Sequence, residues 1–347
     1  MTNVKRERLL ALAGQFPRLR IAVLGDLFLD KWLTIEPKWN EPSVETGLTA
    51  YQVAEARACA GAAGTVLNNL SALGVGMVVA VGFVGADGDG WELLRALKGQ
   101  KMDTRYVVKS GSRITPTYMK PMFRKETGSL EEGNRFDFKN HSVTPKEMEN
   151  RLIKNLCAAA TLADAVIVLD QLAEENTGAV TRSLREEVAK LADMYPKKIL
   201  YADSRAFLHL FRNVIIKCNH LEAARMVLLK ESQGFSKDEV FSSMEKLQSL
   251  TGKRVFITCS ENGVACGAAG ERFLVPAVRQ SGPIDVCGAG DACTAGIVSA
   301  LCAGASEEEA AFIGNLAAGV TVRKLGTTGT ASREEILALY DEQFGEA

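Results

Sequence analysis

An α/β fold with a mostly parallel sheet covered by helices is what this sequence predicts, and three observations predict it. Short runs rich in β-branched and aliphatic residues recur along the 347 residues. Such uninterrupted apolar runs suit strands buried on both faces. Longer segments with helical spacing lie between them, the alternation expected of parallel strands joined by crossover helices. The hydrophobic fraction of 47% and the charged fraction of 24% are those of an ordinary globular chain.

In chain order, residues 21–24 form the first apolar run. Residues 34–58 then lose helical spacing and carry turn formers, so they read either as extra strands projecting from the sheet edge, a lid over a site, or as a surface excursion. A helix is predicted over 64–73 and a strand over 77–84. "GADGDG" (85–90) combines turn glycines with acids that would repel phosphate, and it reads as a turn and helix cap before a helix over 89–97. Residues 112–139, with "TYMKPMFR" and "NRFDF", are the second segment without helical spacing and the second lid candidate. Helices over 145–160, 177–194 and 237–250 alternate with strands over 165–169, 198–202, 214–217 and 254–259. Three helices close the chain, over 291–303, 306–323 and 332–344. No internal repeat or interdomain linker interrupts the series, so residues 1–347 read as one domain.

The charge balance narrows the function. Lys plus Arg number 41 and Asp plus Glu 42, leaving a formal charge of -1. That balance gives no electrostatic footprint for nucleic acid or a membrane surface. No stretch approaches the roughly 18 uninterrupted apolar residues of a membrane span, and the N-terminal residues lack an apolar targeting core, so a cytoplasmic location is expected. The eight cysteines include no C-x-x-C pair, and with only three histidines a disulfide or zinc framework is not expected. A hard, oxygen-ligated cation and a small-molecule partner fit better.

In a parallel sheet, ligands gather at the carboxyl ends of the strands. "IAVLGDLFLD" supplies Asp26 and Asp30, short carboxylates suited either to substrate hydroxyls or to capping a turn. "VIVLDQ" supplies Asp170, and "ILYADSR" supplies Asp203 and Arg205. In "VIIKCNHLEAAR", Asn219 and Glu222 stand three apart at a strand-to-helix junction, either as oxygen ligands for Mg²⁺ or as a helix cap. The most informative stretch is Gly288-Ala289-Gly290-Asp291. Its glycines permit close backbone approach, and the free N–H groups of a starting helix make an anion site. Asp291, in the first turn, is placed to take the proton of a hydroxyl attacking phosphorus. No P-loop and no protein-kinase catalytic loop is present.

Together these motifs resemble those of the ribokinase, or PfkB, family of carbohydrate kinases over nearly the whole chain. "DVCGAGD" (285–291) is similar to that family's D-T-x-G-A-G-D signature, with Val286 in place of Thr. "GAAGTVLNNLSALG" (61–74) is similar to its Gly-rich signature and "CNHLEA" to its N-x-x-E motif. The resemblance implies a three-layer α/β/α fold with a small β lid. It implies that Asp291 is the general base, that residues 288–290 form the anion hole, and that Asn219 and Glu222 serve ATP and Mg²⁺. Asp30, Gly61, Ala62 and Thr65 would then meet the sugar. "ITCSENG" (257–263) would bring Ser260, Glu261 and Gly263 to the nucleotide, and "VTVRKLGTTG" (320–329) with Asn315 and Gly326 would lie near adenine.

Within the family, "VLGDLFLDKW", "VLDQ", "ADSR" and "AAGVTVRKLGTTGT" look like the kinase domain of bifunctional heptose-7-phosphate kinase/ADP-heptose synthases. The chain departs from that subgroup at Ala62, where a second Gly is usual, and at Thr65, where Asn is usual. Lys120, Arg124 and Arg205 could pair with a phosphate already on the sugar, or they could be exposed strand cations. The departures leave two other readings open: a kinase for an unphosphorylated sugar or nucleoside, and a catalytically silent sugar or nucleotide sensor. The edges of a strand-built lid make a homodimer the expected assembly.

Overall fold

The computed structural model describes residues 4–229, 234–268 and 270–345. In chain order the elements are α1 (Arg6–Ala13), β1 (Arg20–Gly25), β2 (Leu27–Ile35), β3 (Glu41–Pro42), β4 (Thr49–Ala50), β5 (Val53–Ala62), α2 (Ala63–Ala72), β6 (Met77–Gly85), α3 (Gly88–Gly99), β7 (Asp103–Ser110), β8 (Thr117–Arg124), β9 (Leu130–Glu132) and β10 (Phe136–Phe138). They continue with α4 (Lys146–Leu162), β11 (Ala165–Asp170), α5 (Arg182–Met194), β12 (Ile199–Ser204), β13 (Ile215–Asn219), α6 (His220–Ala223), α7 (Lys237–Thr251), β14 (Val255–Thr258), β15 (Val264–Gly267), β16 (Phe273–Val275), α8 (Ala289–Cys302), α9 (Glu307–Thr321) and α10 (Arg333–Phe344).

Nine strands form the main sheet in the order β16-β15-β14-β13-β12-β11-β1-β6-β7. The pairings from β14 through to β7 are parallel, and β15 and β16 add an antiparallel edge. Successive side chains of a strand point to opposite faces, and the two cores divide on that alternation. Ile21, Val23, Ile167, Tyr201 and Phe256 pack with α1, α2, α3, α8, α9 and α10. Ala22, Leu24, Val166, Ala202 and Ile257 pack with α4, α5 and α7 on the other face. The molecule is thus three layers, with the helices that open the predicted anion turn on one side.

The segments without helical spacing form a second sheet of order β10-β8-β2-β5, with β9 on β8. It begins earlier than residue 34, because β2 starts at Leu27 and leaves β1 after a single intervening residue. Asp30 therefore sits within a strand of the small sheet and not at the exit of a main-sheet strand. The predicted helix over 177–194 starts only at Arg182. Thr181 caps it by accepting the Leu184 N–H, and residues 177–180 are loop. "GADGDG" is a turn and cap as read from sequence, with Asp87 accepting the Gly90 N–H at 2.7 Å. All eight cysteines are free, and among the described residues no helix is long and apolar enough to cross a membrane.

Candidate active site

The carboxyl ends of β1, β11, β12, β13 and β14 share one edge of the main sheet, and α8 starts above it. Gly288 supplies the left-handed N-cap of α8 at φ 80°. A Cβ there would meet the Thr328 methyl at 2.7 Å and strain the backbone. The Ala289 N–H donates to the Val286 carbonyl at 3.2 Å and closes the turn, while the amides of Gly290 and Asp291 open the helix without an intrahelical acceptor, which is the geometry of an anion site.

Under this first turn lies a charge pair that the sequence spacing did not reveal. Asp203 on β12 and Lys217 on β13 are in register, and the Lys217 ammonium donates to Asp203 at 2.7 Å. Thr294 Oγ1 of α8 lies 3.4 Å from the same carboxylate. The Lys217 Nζ stands 3.1 Å from where a Gly290 Cβ would be, so the bare glycine lets a buried cation reach the anion site. Burial raises the Asp291 carboxyl to about 7; Asp203 and Asp30 push it the same way, while Lys217 and Arg205 oppose them. A carboxylate poised near neutrality can both accept and release a proton.

Asn219 and Glu222 make both hydrogen bonds of a capping box, Glu222 N–H to Asn219 Oδ1 at 2.8 Å and Asn219 N–H to Glu222 Oε2 at 2.9 Å. The capping reading of this motif is therefore built into the fold. Burial also raises the Glu222 carboxyl, and the Asp203 carboxylate adds to the shift. Two acids that repel each other at one strand edge suit a divalent cation. Among the described residues no group of three His, Cys, Asp or Glu side chains converges on a metal position, so a cation there would keep much of its water shell. Arg205, exposed just beyond β12, lies against the Gln171 side-chain amide at 2.9 Å.

The small sheet brings its own groups. Asp30 is buried, and a Cβ on Gly61 would sit 2.7 Å from its carboxylate, so only glycine leaves that carboxylate its place. Cys59, Asp30 and Tyr118 form one cross-strand row, and Arg57, Trp32 and Lys120 the next row on the same face. Burial raises the Asp30 carboxyl, and Lys120 and Arg135 pull it back down. Arg135 lies over the Tyr118 ring at 4.2 Å, and Lys120 over Trp32 at 4.9 Å. The sequence reading missed Arg57, Trp32, Arg135 and Lys217.

Ala62 adopts φ 51°, ψ -117°, a conformation suited to glycine. The usual glycine of the Gly-rich signature is thus explained by backbone geometry alone. Ala62→Gly is expected to relieve about 1 kcal/mol of strain net of the extra unfolded-state freedom. That is a rise of about 2 °C in a thermal melt. The Thr65 methyl lies 3.5 Å from the Cβ position of Gly288, so this residue abuts the anion turn.

Asp26, a candidate for substrate hydroxyls, and Asp170, at the end of β11, both belong to the interior. Asp26 accepts the backbone N–H of Gln171 at 3.0 Å and of Ala179 at 2.7 Å, and it is 2% exposed. It fastens the loop after β11 to β1. Asp170 accepts from Ser204 Oγ at 3.0 Å and faces the buried Arg185; burial and Asp26 raise its carboxyl to about 8. Asn315 is likewise occupied, its amide donating to the Val275 and Pro276 carbonyls. Ser260, Glu261 and Gly263 form the tight turn between β14 and β15, beside Asn219 through the Asn219–Thr258 pairing. Gly326 donates its N–H to Asp285 at 3.0 Å.

Comparison with known proteins gives the family and the fold. The profile of the pfkB family carbohydrate kinases matches residues 34–334. The bifunctional protein HldE of Trichlorobacter lovleyi is 30% identical over 328 residues, which cover 92% of this chain and 62% of that protein. HldE of Geobacter sulfurreducens is 29% identical, with 98% and 66% covered. The chain thus spans less than two thirds of the length of these relatives. Among solved structures, Arabidopsis thaliana ribokinase complexed with ribose and ATP superposes with a TM-score of 0.68 at 19% identity, covering 92% of this chain and 98% of that one. Phosphofructokinase-2 from Escherichia coli in complex with potassium gives 0.70 at 15% identity, covering 94% and 99%. The fold is therefore ribokinase-like.

Proposed function

The chain belongs to the pfkB carbohydrate kinase family, and from that premise we propose that it transfers the γ-phosphoryl group of ATP to a hydroxyl of a sugar or sugar phosphate, with Asp291 as the general base. The observation that carries the proposal is Asp291 in the first turn of α8, beside the opening helix amides of Gly290 and Asp291 and the Lys217 ammonium, with its carboxyl raised to about 7.

The acceptor oxygen forms a bond to the γ-phosphorus as the bond to the β-γ bridging oxygen breaks, and ADP leaves with the electron pair. Asp291 takes the acceptor proton. The amides of Gly290 and Asp291 and the Lys217 ammonium face the charge carried by the transferring group. Asn219 and Glu222, with Asp203 near, would hold Mg²⁺, which supplies charge neutralisation to the phosphates when bound. The small sheet acts as a lid that places Asp30 against the acceptor and keeps water from the phosphoryl group. ATP as donor is supported by the ATP complex of the ribokinase above.

Lys120 beside Asp30 favours an acceptor that already carries a phosphate, although Arg135 is engaged by Asp137, and a heptose-7-phosphate-like compound fits this cation and the HldE relatives. ADP release across a panel of sugars, sugar phosphates and nucleosides tests this reading. The expected result is preference for a phosphorylated sugar, and strict preference for an unphosphorylated acceptor would contradict it. Gly61→Ala is expected to displace the Asp30 carboxylate and raise the acceptor KM by about tenfold with the ATP KM unchanged, since about 1.4 kcal/mol of acceptor contact is lost.

The small sheet exposes Val53 and Phe136, the turn between β3 and β4 exposes Val44 and Leu48, and β5 is an open edge of the small sheet. A second copy of this chain covers that edge in this reading. Light scattering at micromolar concentration is expected to give the dimer mass, and a monomer mass would contradict the assembly.

A further inference from the structure

One side chain ties the small sheet to the anion turn. Arg57 of β5 donates from Nη2 to the Gly326 carbonyl at 2.6 Å, across 269 residues of sequence. The Gly326 N–H donates to Asp285 Oδ2 at 3.0 Å, and Asp285 Oδ1 accepts the Cys287 N–H at 2.9 Å. Asp285 N–H in turn donates to the Val322 carbonyl at 2.8 Å. Cys287 immediately precedes Gly288, the N-cap of α8, so the chain of contacts ends at the anion site.

The other end of the link is equally fixed. The Arg57 guanidinium lies 4.6 Å from the centroid of the Trp32 ring, its cross-strand partner. The Lys120 ammonium lies 4.9 Å from the same ring. Trp32 stands two residues from Asp30 on one face of β2, so the arginine is held in the row next to the carboxylate that meets the acceptor. Stacking on the indole leaves the planar fork free to donate sideways to a carbonyl. A carbonyl in a loop has no need of a guanidinium for stability, since water satisfies it as well. The contact therefore matters for where it holds the two parts, and an in-line transfer is sensitive to errors of about 1 Å in that distance.

We propose that Arg57 is a positioning residue that latches the lid to the anion turn, so that the acceptor hydroxyl beside Asp30 reaches Asp291 only while Arg57 bonds Gly326. The proposal rests on the kinase reading and adds the part that couples its two substrates. Without the latch the lid still carries Asp30, but the phosphoryl group is presented to water as readily as to the sugar.

The test uses the full chain with Arg57→Ala and Arg57→Lys, measuring sugar phosphorylation and ADP release separately. For Arg57→Ala, kcat for transfer is expected to fall by about 10 to 100-fold, with the ATP KM within about threefold and the melting temperature within about 2 °C of wild type. The ratio of ATP hydrolysed to sugar phosphorylated is expected to rise by at least about fivefold. Arg57→Lys keeps a donor within reach and is expected to restore part of that ratio. Unchanged transfer and an unchanged ratio in Arg57→Ala would overturn the proposal, and so would a fall in transfer matched by a fall in melting temperature with the ratio constant.

A second measurement needs no turnover. With Trp39→Phe and Trp91→Phe, Trp32 is the one remaining tryptophan. Its emission is expected to change when a non-hydrolysable ATP analogue binds, and the added Arg57→Ala change is expected to abolish that response while thermal protection by the analogue persists. An identical response with and without Arg57 would overturn the latch. Failure of the wild type to release ADP with any acceptor would instead remove the kinase reading, so the two failures are distinct.

Discussion

Asp291→Asn lowers turnover by at least about a hundredfold while ATP still binds, because the amide keeps the shape of the carboxylate and cannot take a proton. Steady-state kinetics beside ATP binding by calorimetry checks both halves. The same carboxyl sets the pH dependence. The base works only when ionised, so kcat/KM rises with pH through about 7, the value to which burial, reinforced by Asp203, raises it against Lys217. The variant should lack this limb.

The stability consequence has the opposite sense. The folded value lies above the ordinary 3.8, so the folded chain binds this proton more tightly than the unfolded chain does. Its stabilising contribution is complete below about pH 4 and is lost as pH rises through about 7. Asp291→Asn is neutral throughout. It is expected to melt at a higher temperature than wild type at about pH 8 and at the same temperature near pH 4. Higher stability with lost turnover is what a strained functional carboxylate predicts, and a merely structural helix cap predicts the reverse.

Lys217→Ala carries the largest expected loss of stability. Lys217 is 6% exposed and pairs with Asp203 at 2.7 Å, so removing it leaves a largely covered carboxylate without its counter-charge. Breaking such a pair costs about 3–5 kcal/mol. Denaturant unfolding is expected to show that loss, and Lys217→Met combined with Asp203→Asn is expected to recover most of it, because no charge is then stranded. Turnover should stay low in the recovered protein, since the cation beside Gly290 is still missing. Normal turnover there would show that Lys217 serves only the fold. In any Lys217 variant that folds with Asp203 intact, the Asp291 carboxyl loses its nearest cation and is raised further, so the acidic limb of the rate profile moves above about 7.

Much of this is legible in the sequence alone. The apolar runs located the parallel strands because strands buried on both faces need continuous hydrophobic sequence. Gly288 to Asp291 stood out because a helix start with bare glycines and an acid is a local pattern. What local patterns could not show was partnership across the sheet. Asp26 and Asp30 look alike in "GDLFLD", yet Asp26 is consumed by the amides of Gln171 and Ala179, while Asp30 turns into the small sheet because β2 leaves the main sheet at Leu27. Asn219 and Glu222 carried two readings at one spacing, and the capping box satisfies one without removing the other. Lys217 and Asp203 become neighbours only through the register of β12 on β13. Arg57 meets Gly326 only because the small sheet reaches the loop that follows α9. Each of these contacts is set by topology and burial, and neither is written in spacing.

Movement of a phosphoryl group from ATP to a sugar hydroxyl through Asp291 is the reaction we propose for this chain. Transfer of label from γ-labelled ATP to a sugar or sugar phosphate, measured for wild type and Asp291→Asn under matched ATP occupancy, tests it most directly. Labelled sugar phosphate from the wild type and at least about a hundredfold less from the variant is the predicted result. Equal labelling by the two proteins, or no labelled sugar from the wild type with any acceptor, would contradict it.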